Sequence, residues 1–369
     1  MTSSSRAFGL RSGRALFAVA GAAAVLTAAA CTSSGGGSSA SGSGASASAS
    51  SSSGSGSGST VNVSQVTLTI GDQKGTGAEA LLQAAGLINK LPFKVKWVDF
   101  TSGPPMVQAM GSGSVDIGGV GDAPPAFAAA GGSKIKIVGA RITPSAAGAV
   151  VVPKGSSITS IQQLKGKTIA APEGTTADYH LLTVLAAAGL TKKQVTVDNL
   201  QPADALSAFT SGKVDAWDTW SPYIEEATVQ DGGKVLASGK QYGAPYSFQV
   251  ASDSALSDSG KAAAIADYQK ILNQAYLWSA SHLTSWAKLW GDATGLPSAT
   301  MLQASKDDVN KPVAINSTVI NAEQKLVDAF YKAGEIPTDV KMTDYMTGQY
   351  NSGVPSSSTT SASSTGAGG

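Results

Sequence analysis

From about Gln65 to Gln349 the chain alternates short β-rich runs with stretches of helical periodicity. That alternation predicts α/β layering with largely parallel sheets. Val66 to Ile70 predicts a strand, and Ala78 to Ile88 a helix after a Gly-Thr-Gly opening. Val95 to Phe100 alternates as a strand, followed by a Gly-Pro-Pro turn and a helix over Met106 to Met110. Val115 to Gly118 is a short buried strand, and Lys134 to Ala140 and Gly148 to Val152 complete a first sheet. A second βα series opens at Leu164 to Ala170. A helix over Thr176 to Ala188 then stops at Gly189, a residue suited to the position after a helix end. Strands at Val195–Asp198 and Val214–Trp217 bracket a helix over Ala203–Ser211. Helical sequence follows over Lys261–Trp290 and Asn321–Ala333. No internal repeat is visible.

The ends have a different composition. Arg6, Arg11 and Arg14 precede an apolar run over Ala15 to Ala30 that is short for a spanning helix. This is the layout of an export signal, residues 1–30. Ala28-Ala29-Ala30-Cys31 resembles the lipid-attachment box of bacterial lipoproteins, with Leu26 placed five before the cysteine rather than three. The alternative is a plain secretory signal leaving a free thiol. Residues 31–64, after Cys31 almost wholly Ser, Gly and Ala, offer nothing to bury and predict a disordered tether. A coil of about 33 such residues reaches roughly 30 Å. Residues 351–369 have the same composition and predict a disordered tail.

Charge and chemistry narrow the function. Only 14% of residues are charged, the net charge is +1, and no basic stripe appears, which argues against a nucleic-acid partner. Cys31 is the only cysteine, so no intrachain disulfide or cysteine metal site is available. The two histidines, His180 and His282, stand apart from any nucleophile pattern, and His180 reads as an ordinary helix residue. No spacing predicts a metal site, and Gly75 to Glu79 lacks the Lys-Ser/Thr of a phosphate loop. Neither a cofactor nor a catalytic residue is expected.

Three spots place unpaired backbone N–H groups at predicted helix starts, where the dipole favours an anion. They are Ser102-Gly103 before Pro104-Pro105, Asp122-Ala123 before Pro124-Pro125, and Thr175-Thr176. Gln73 adds a side-chain amide after the first strand. The Ala123 N–H is the expected donor, with Asp122 capping the helix behind it. Trp217, at the expected end of a strand, would lay its indole along an alkyl tail, and Trp220 either joins it or packs in a core. Asp218 either faces the cleft or is a solvated rim carboxylate.

The ordered set Phe100-Thr101-Ser102-Gly103-Pro104-Pro105, Ser114 to Gly118 and Gly121-Asp122-Ala123-Pro124-Pro125 resembles the aliphatic sulfonate-binding proteins of ABC transporters, relatives of the nitrate and taurine binders. Gln73-Lys74-Gly75, Leu164 to Lys167, Pro202 to Ala205, Val214 to Trp217, and Ala329 to Tyr331 before Ile336-Pro337 continue the series, from Val66 to about Met346. The resemblance implies a type II periplasmic-binding-protein fold: two lobes, each a mostly parallel sheet flanked by helices, joined by two crossover strands. One lobe would be 65–149 plus 249–350, the other 150–248, with hinges near Val150–Pro153 and Tyr246–Ala251.

It also implies an extracytoplasmic lipoprotein, anchored to the cell membrane through Cys31. This protein would hold an alkanesulfonate between its lobes at Gln73, Ser102, Gly103, Asp122, Ala123, Thr175, Thr176, Trp217 and Asp218. It would deliver the ligand to two permease subunits and, through them, an ATPase. Three or four charge-assisted hydrogen bonds of about 1.5–3 kcal/mol each reach micromolar affinity with no arginine in the site. The family usually carries a neutral residue where Asp218 stands and Asp where Ser221 stands. A cleft-facing Asp218 would therefore select an aminosulfonate such as taurine; a nitrate-type anion is a further alternative. Thiamine-pyrimidine synthases share this fold, but they carry a cysteine-rich motif that is not found here.

Overall fold

The computed structural model describes residues 61–73, 77–143, 148–307 and 309–354. Cys31, the expected export signal, residues 31–60 of the tether, Lys74-Gly75 and residues 355–369 lie outside them. Eleven strands form two sheets. The first takes β1 (Thr67–Gln73), β2 (Lys94–Phe100), β3 (Ile117–Val120), β4 (Ile135–Ile142), β10 (Tyr246–Ser252) and β11 (Lys311–Val313), in the order β11-β4-β10-β3-β1-β2. The second takes β5 (Ala149–Val152), β6 (Thr168–Ala170), β7 (Thr196–Asp198), β8 (Ala216–Thr219) and β9 (Lys234–Ser238), in the order β7-β6-β8-β5-β9.

β1 pairs parallel with β2 and β3, and β6 with β7 and β8, as βα units require. The strands that follow a passage between lobes depart from this. β10 runs antiparallel between β3 and β4, and β5 runs antiparallel between β8 and β9. The strand expected at Gly148–Val152 therefore belongs to the second sheet and does not complete the first; β10, which follows the second lobe along the chain, takes that place. The passages lie between Thr143 and Gly148 and between Tyr242 and Tyr246, just before the hinge positions expected from sequence. They are tied side by side: Thr143 N–H donates to the Pro245 carbonyl at 2.8 Å.

Both faces of each sheet are covered, which explains the near-continuous apolar runs; all of β5, Ala149-Val150-Val151-Val152, is buried. The helices that follow strands are α1 (Ala78–Ala84), α2 (Gly103–Gly111), α3 (Ala123–Ala130), α4 (Thr176–Ala187) and α5 (Pro202–Thr210). The expected helix over Lys261–Trp290 is two helices, Ser259–Ser281 and Leu283–Thr294, broken at His282. The folded chain also passes both expected boundaries. Val63 is buried in the first core, and the Asn351 side-chain amide bonds both the N–H and the carbonyl of Ile315.

The lobes share a repeat that the sequence hides: β1-α1-β2-α2-β3 in one, β6-α4-β7-α5-β8 in the other. In each, an aspartate ahead of the third strand accepts from a backbone N–H of the first, 47 residues earlier. These are Asp116 from Thr69 at 2.8 Å and Asp215 from Thr168 at 2.9 Å.

Candidate functional site

The C-terminal ends of parallel strands point the starts of their following helices into one crevice, the usual ligand position in open α/β sheets. A cavity of about 90 Å³ lies there, between the lobes. Gln73, Gly103, Thr175 and Thr176, four of the residues named from sequence, line it. The Gln73 amide donates to the Gly119 carbonyl at 2.8 Å, which fixes its direction. Ser102 is the N-cap of α2, fully buried, with a hydroxyl that has no partner. The prolines at the second and third positions of α2 remove two donors, so its free N–H groups are few and local. Thr175 turns its hydroxyl away, donating to the Pro172 carbonyl at 2.6 Å.

Asp122 and Thr176 form the contact between the lobes. The Thr176 hydroxyl donates to Asp122 Oδ1 at 2.6 Å, and a Cβ on Gly121 would overlap that hydroxyl. Burial pushes the Asp122 carboxyl up to about 6, against the lowering effect of the Thr176 and Ala123 hydrogen bonds. Nearby, Lys192 of the second lobe bridges Asp178 of its own lobe and Glu335 of the first. The Tyr179 and Phe330 rings meet across the same boundary at 5.6 Å.

Three sequence expectations are corrected here. Ala123 N–H is not free for a ligand; it donates to Asp122 Oδ1 at 2.9 Å. Trp217 does not reach the cleft. The strand runs two residues further than expected, so Trp217 pairs with Val151 in mid-strand, fully buried beside Phe209 and Tyr223 at 5.9 and 6.0 Å. Trp220, just beyond the strand, lines the cavity in its place. Asp218 points to the opposite face of β8 from Trp217, by the two-residue period of a strand. There it meets His180 of α4 at 2.8 Å, both side chains fully buried. It is neither a cleft carboxylate nor a rim one, and His180 is half of a buried pair.

The residue that sequence reasoning missed is Arg141. It sits near the end of β4 and lines the cavity, with Nε donating to Asn310 Oδ1 at 2.8 Å and its guanidinium 5.1 Å from the Tyr276 ring centre. No carboxylate among the described residues pairs with it, and Nη1 has no partner. Thr143, Ser247 and Gln249 surround it; both amide atoms of Gln249 are buried and unpartnered. In sequence Arg141 is one of two charges in an otherwise apolar strand, with Lys136, and Asn310 stands 169 residues away. Only the antiparallel insertion of β10, which places Ser247 opposite Arg141, assembles the group. The cavity also holds one acid, Asp72, pushed up to about 6 by burial; its oxygens are occupied by the N–H groups of Gln73, Ala78 and Glu79.

A cleft between two α/β lobes, walled by helix starts and one unpaired arginine, defines a two-lobe solute-binding protein. The sequence profile of the NMT1/THI5-like family matches residues 94–250. The chain is 33% identical over 282 residues to an aliphatic sulfonates-binding protein of Escherichia coli (strain K12), covering 75% of this chain and 87% of that one. It is 35% identical over 149 residues to the taurine-binding periplasmic protein of the same bacterium, covering 40% and 45%. The structure superposes on the alkanesulfonate-binding protein of Xanthomonas axonopodis pv. citri bound to MOPS with a TM-score of 0.72 at 30% identity, covering 77% and 99%. The chain belongs to the NMT1/THI5-like family, within its group of aliphatic sulfonate-binding proteins.

Proposed function

We propose that this protein is the extracytoplasmic solute-binding component of an ABC importer and that it captures an aliphatic sulfonate between its lobes. The observation that carries the reading is the Arg141 guanidinium, held in the cavity wall by a neutral amide and a ring, with no carboxylate paired to it among the described residues. A half-buried cation with a buried, unpartnered Nη1 favours a counter-charge. A sulfonate, ionised at every physiological pH and offering three acceptor oxygens, supplies one without any proton transfer. Gln73, Gly103 and the Thr175-Thr176 turn add donors, and Trp220 and Tyr276 offer ring surface for a tail. The relatives named for sulfonates and taurine, and the bound MOPS of the solved neighbour, support the same class of ligand.

The aminosulfonate alternative loses its selector, because Asp218 is committed to His180. The relatives are named for binding, and on this reading the protein acts by binding and release. Lipid attachment through Cys31, two permease partners docking one lobe each, and an ATPase behind them complete the proposal. No described helix is long and apolar enough to cross a membrane. Isothermal titration against ethanesulfonate, hexanesulfonate, taurine, nitrate, sulfate and a carboxylate tests the reading. Micromolar binding of the alkanesulfonates with sulfate silent is the expected result; silence from folded protein across the panel would overturn it.

A further inference from the structure

On the cleft-side face of the first sheet, Gly119, Gln249 and Gly139 are cross-strand partners on β3, β10 and β4. The two glycines leave bare backbone on both sides of Gln249, and side-chain amides lie over it. A Cβ on Gly119 would stand 2.8 Å from Gln249 Nε2 and 3.9 Å from Arg141 Nη1, and one on Gly139 would collide with the amide of Gln269. Gln269 comes from the helix Ser259–Ser281 and lies outside the lining of the ligand cavity. It lines a second cavity of about 10 Å³ that shares Arg141, Gln249 and Tyr276 with the first. That is the space of one water. Gln249 and Gln269 are 4% and 3% exposed, yet Gln249 Oε1 and Nε2, Gln269 Nε2 and Arg141 Nη1 all lack partners. Four unsatisfied buried polar atoms around a one-water space would each be costly unless bridged.

We propose that Gln269 is a positioning residue for Arg141, acting with Gln249 through one buried water in this rear cavity. The water accepts from Gln269 Nε2 and Arg141 Nη1 and donates to Gln249 Oε1, leaving Gln249 Nε2 for the ligand. The relay orients the guanidinium without neutralising it: among the described residues lining the rear cavity Arg141 is the sole charged side chain, the other polar ones being amides and phenols, so its charge is left to the anion in the cleft. An acidic side chain at position 269 would become an internal counter-ion and compete with the ligand. This inference rests on the reading that Arg141 meets the anion.

The test is titration of hexanesulfonate into the wild type, Gln269→Glu, Gln269→Met and Arg141→Lys between pH 5 and 9, with folding checked by circular dichroism. Gln269→Glu is expected to bind within about threefold of wild type at pH 5 and at least tenfold more weakly at pH 9, as the new carboxyl ionises beside Arg141. Gln269→Met, which breaks the relay without adding charge, is expected to lose about three- to tenfold at every pH. That loss should shrink when Gln269→Met is combined with Arg141→Lys, because coupled residues are non-additive. Wild-type affinity in Gln269→Glu at pH 9, or equal pH-independent losses in both variants, would overturn the proposal. Should Gln269→Glu not fold, the Gln269→Met cycle decides alone, and additive losses overturn the relay. If Arg141→Lys binds like wild type, the anion-site reading fails first and the relay with it.

Discussion

Arg141 is the one cation among the described residues of the cavity wall, and its surroundings hold it rather than discharge it: Asn310 takes Nε and Tyr276 covers the guanidinium. Two charge-assisted hydrogen bonds lost on truncation, each about 1.5–3 kcal/mol, would be partly offset by relief of a half-buried charge that has no counter-ion among the described residues. Arg141→Ala is therefore expected to weaken alkanesulfonate binding by roughly 2–4 kcal/mol, about 30- to 1000-fold, in isothermal titration. A loss below fivefold would remove the arginine from the site. Asp218 has the opposite expectation. Burial raises its carboxyl and His180 opposes the rise, so the pair belongs to the second lobe's interior. Asp218→Asn should cost about 3 kcal/mol in urea unfolding by leaving His180 poorly matched, with the ratio of taurine to ethanesulfonate affinity unchanged. The helix start at Ser102-Gly103 was legible from Gly-Pro-Pro, because helix starts are local, and it brings Gly103 to the cavity wall. Arg141 was not, because its partners come from β10, from Asn310 and from the helix Ser259–Ser281.

At the scale of elements, the meeting of α3 and α4 decides whether the cleft can close. Gly121 has no side chain where the Thr176 hydroxyl passes to reach Asp122, and its backbone is not in the left-handed region. Alanine there fits the strand end but not the approach of α4. Gly121→Ala should keep its unfolding free energy within about 1 kcal/mol of wild type, as a surface-like change does, while losing tenfold or more in ligand affinity. Small-angle scattering should show compaction on ligand addition for the wild type and none for the variant, the behaviour of a hinge-closing pair of lobes. Normal compaction in Gly121→Ala would show that the Thr176–Asp122 contact does not limit closure. Strand ends carry the main lesson at this scale. β8 extends to Thr219 rather than stopping at Trp217, and that slip of two residues exchanged a core tryptophan for the one in the cavity. Strand ends depend on pairing partners, here Ala149 opposite Thr219, which come from a distant part of the chain.

For the whole molecule, stability should depend on pH through two buried carboxyls at the cleft. Burial raises both Asp72 and Asp122 from 3.8 to about 6. The folded protein then binds more protons than the unfolded chain between these values, so stability rises as pH falls from 7 toward 4. The contribution is fully present below 3.8 and lost as pH passes up through about 6. Urea midpoints should therefore be higher at pH 5 than at pH 7 from this source, and Asp122→Asn should reduce the difference. A variant with the wild-type pH profile would show that Asp122 titrates near its ordinary value in the fold.

The α/β layering, the two βα series, the helix starts and the family motifs are carried by hydrophobic periodicity and local turn chemistry, so the sequence by itself was sufficient to determine them. Tertiary structure decided the rest. The antiparallel insertion of β10 assembled Arg141 with Gln249 and Ser247. Strand pairing and strand period sent Trp217 and Asp218 into the second lobe's interior. Packing of the helix Ser259–Ser281 against the first sheet brought in Tyr276 and Gln269, and the pairing of β11 with β4 brought in Asn310 just ahead of it. A local sequence can place a donor at a helix start; only the folded chain can place a charge where no carboxylate reaches it.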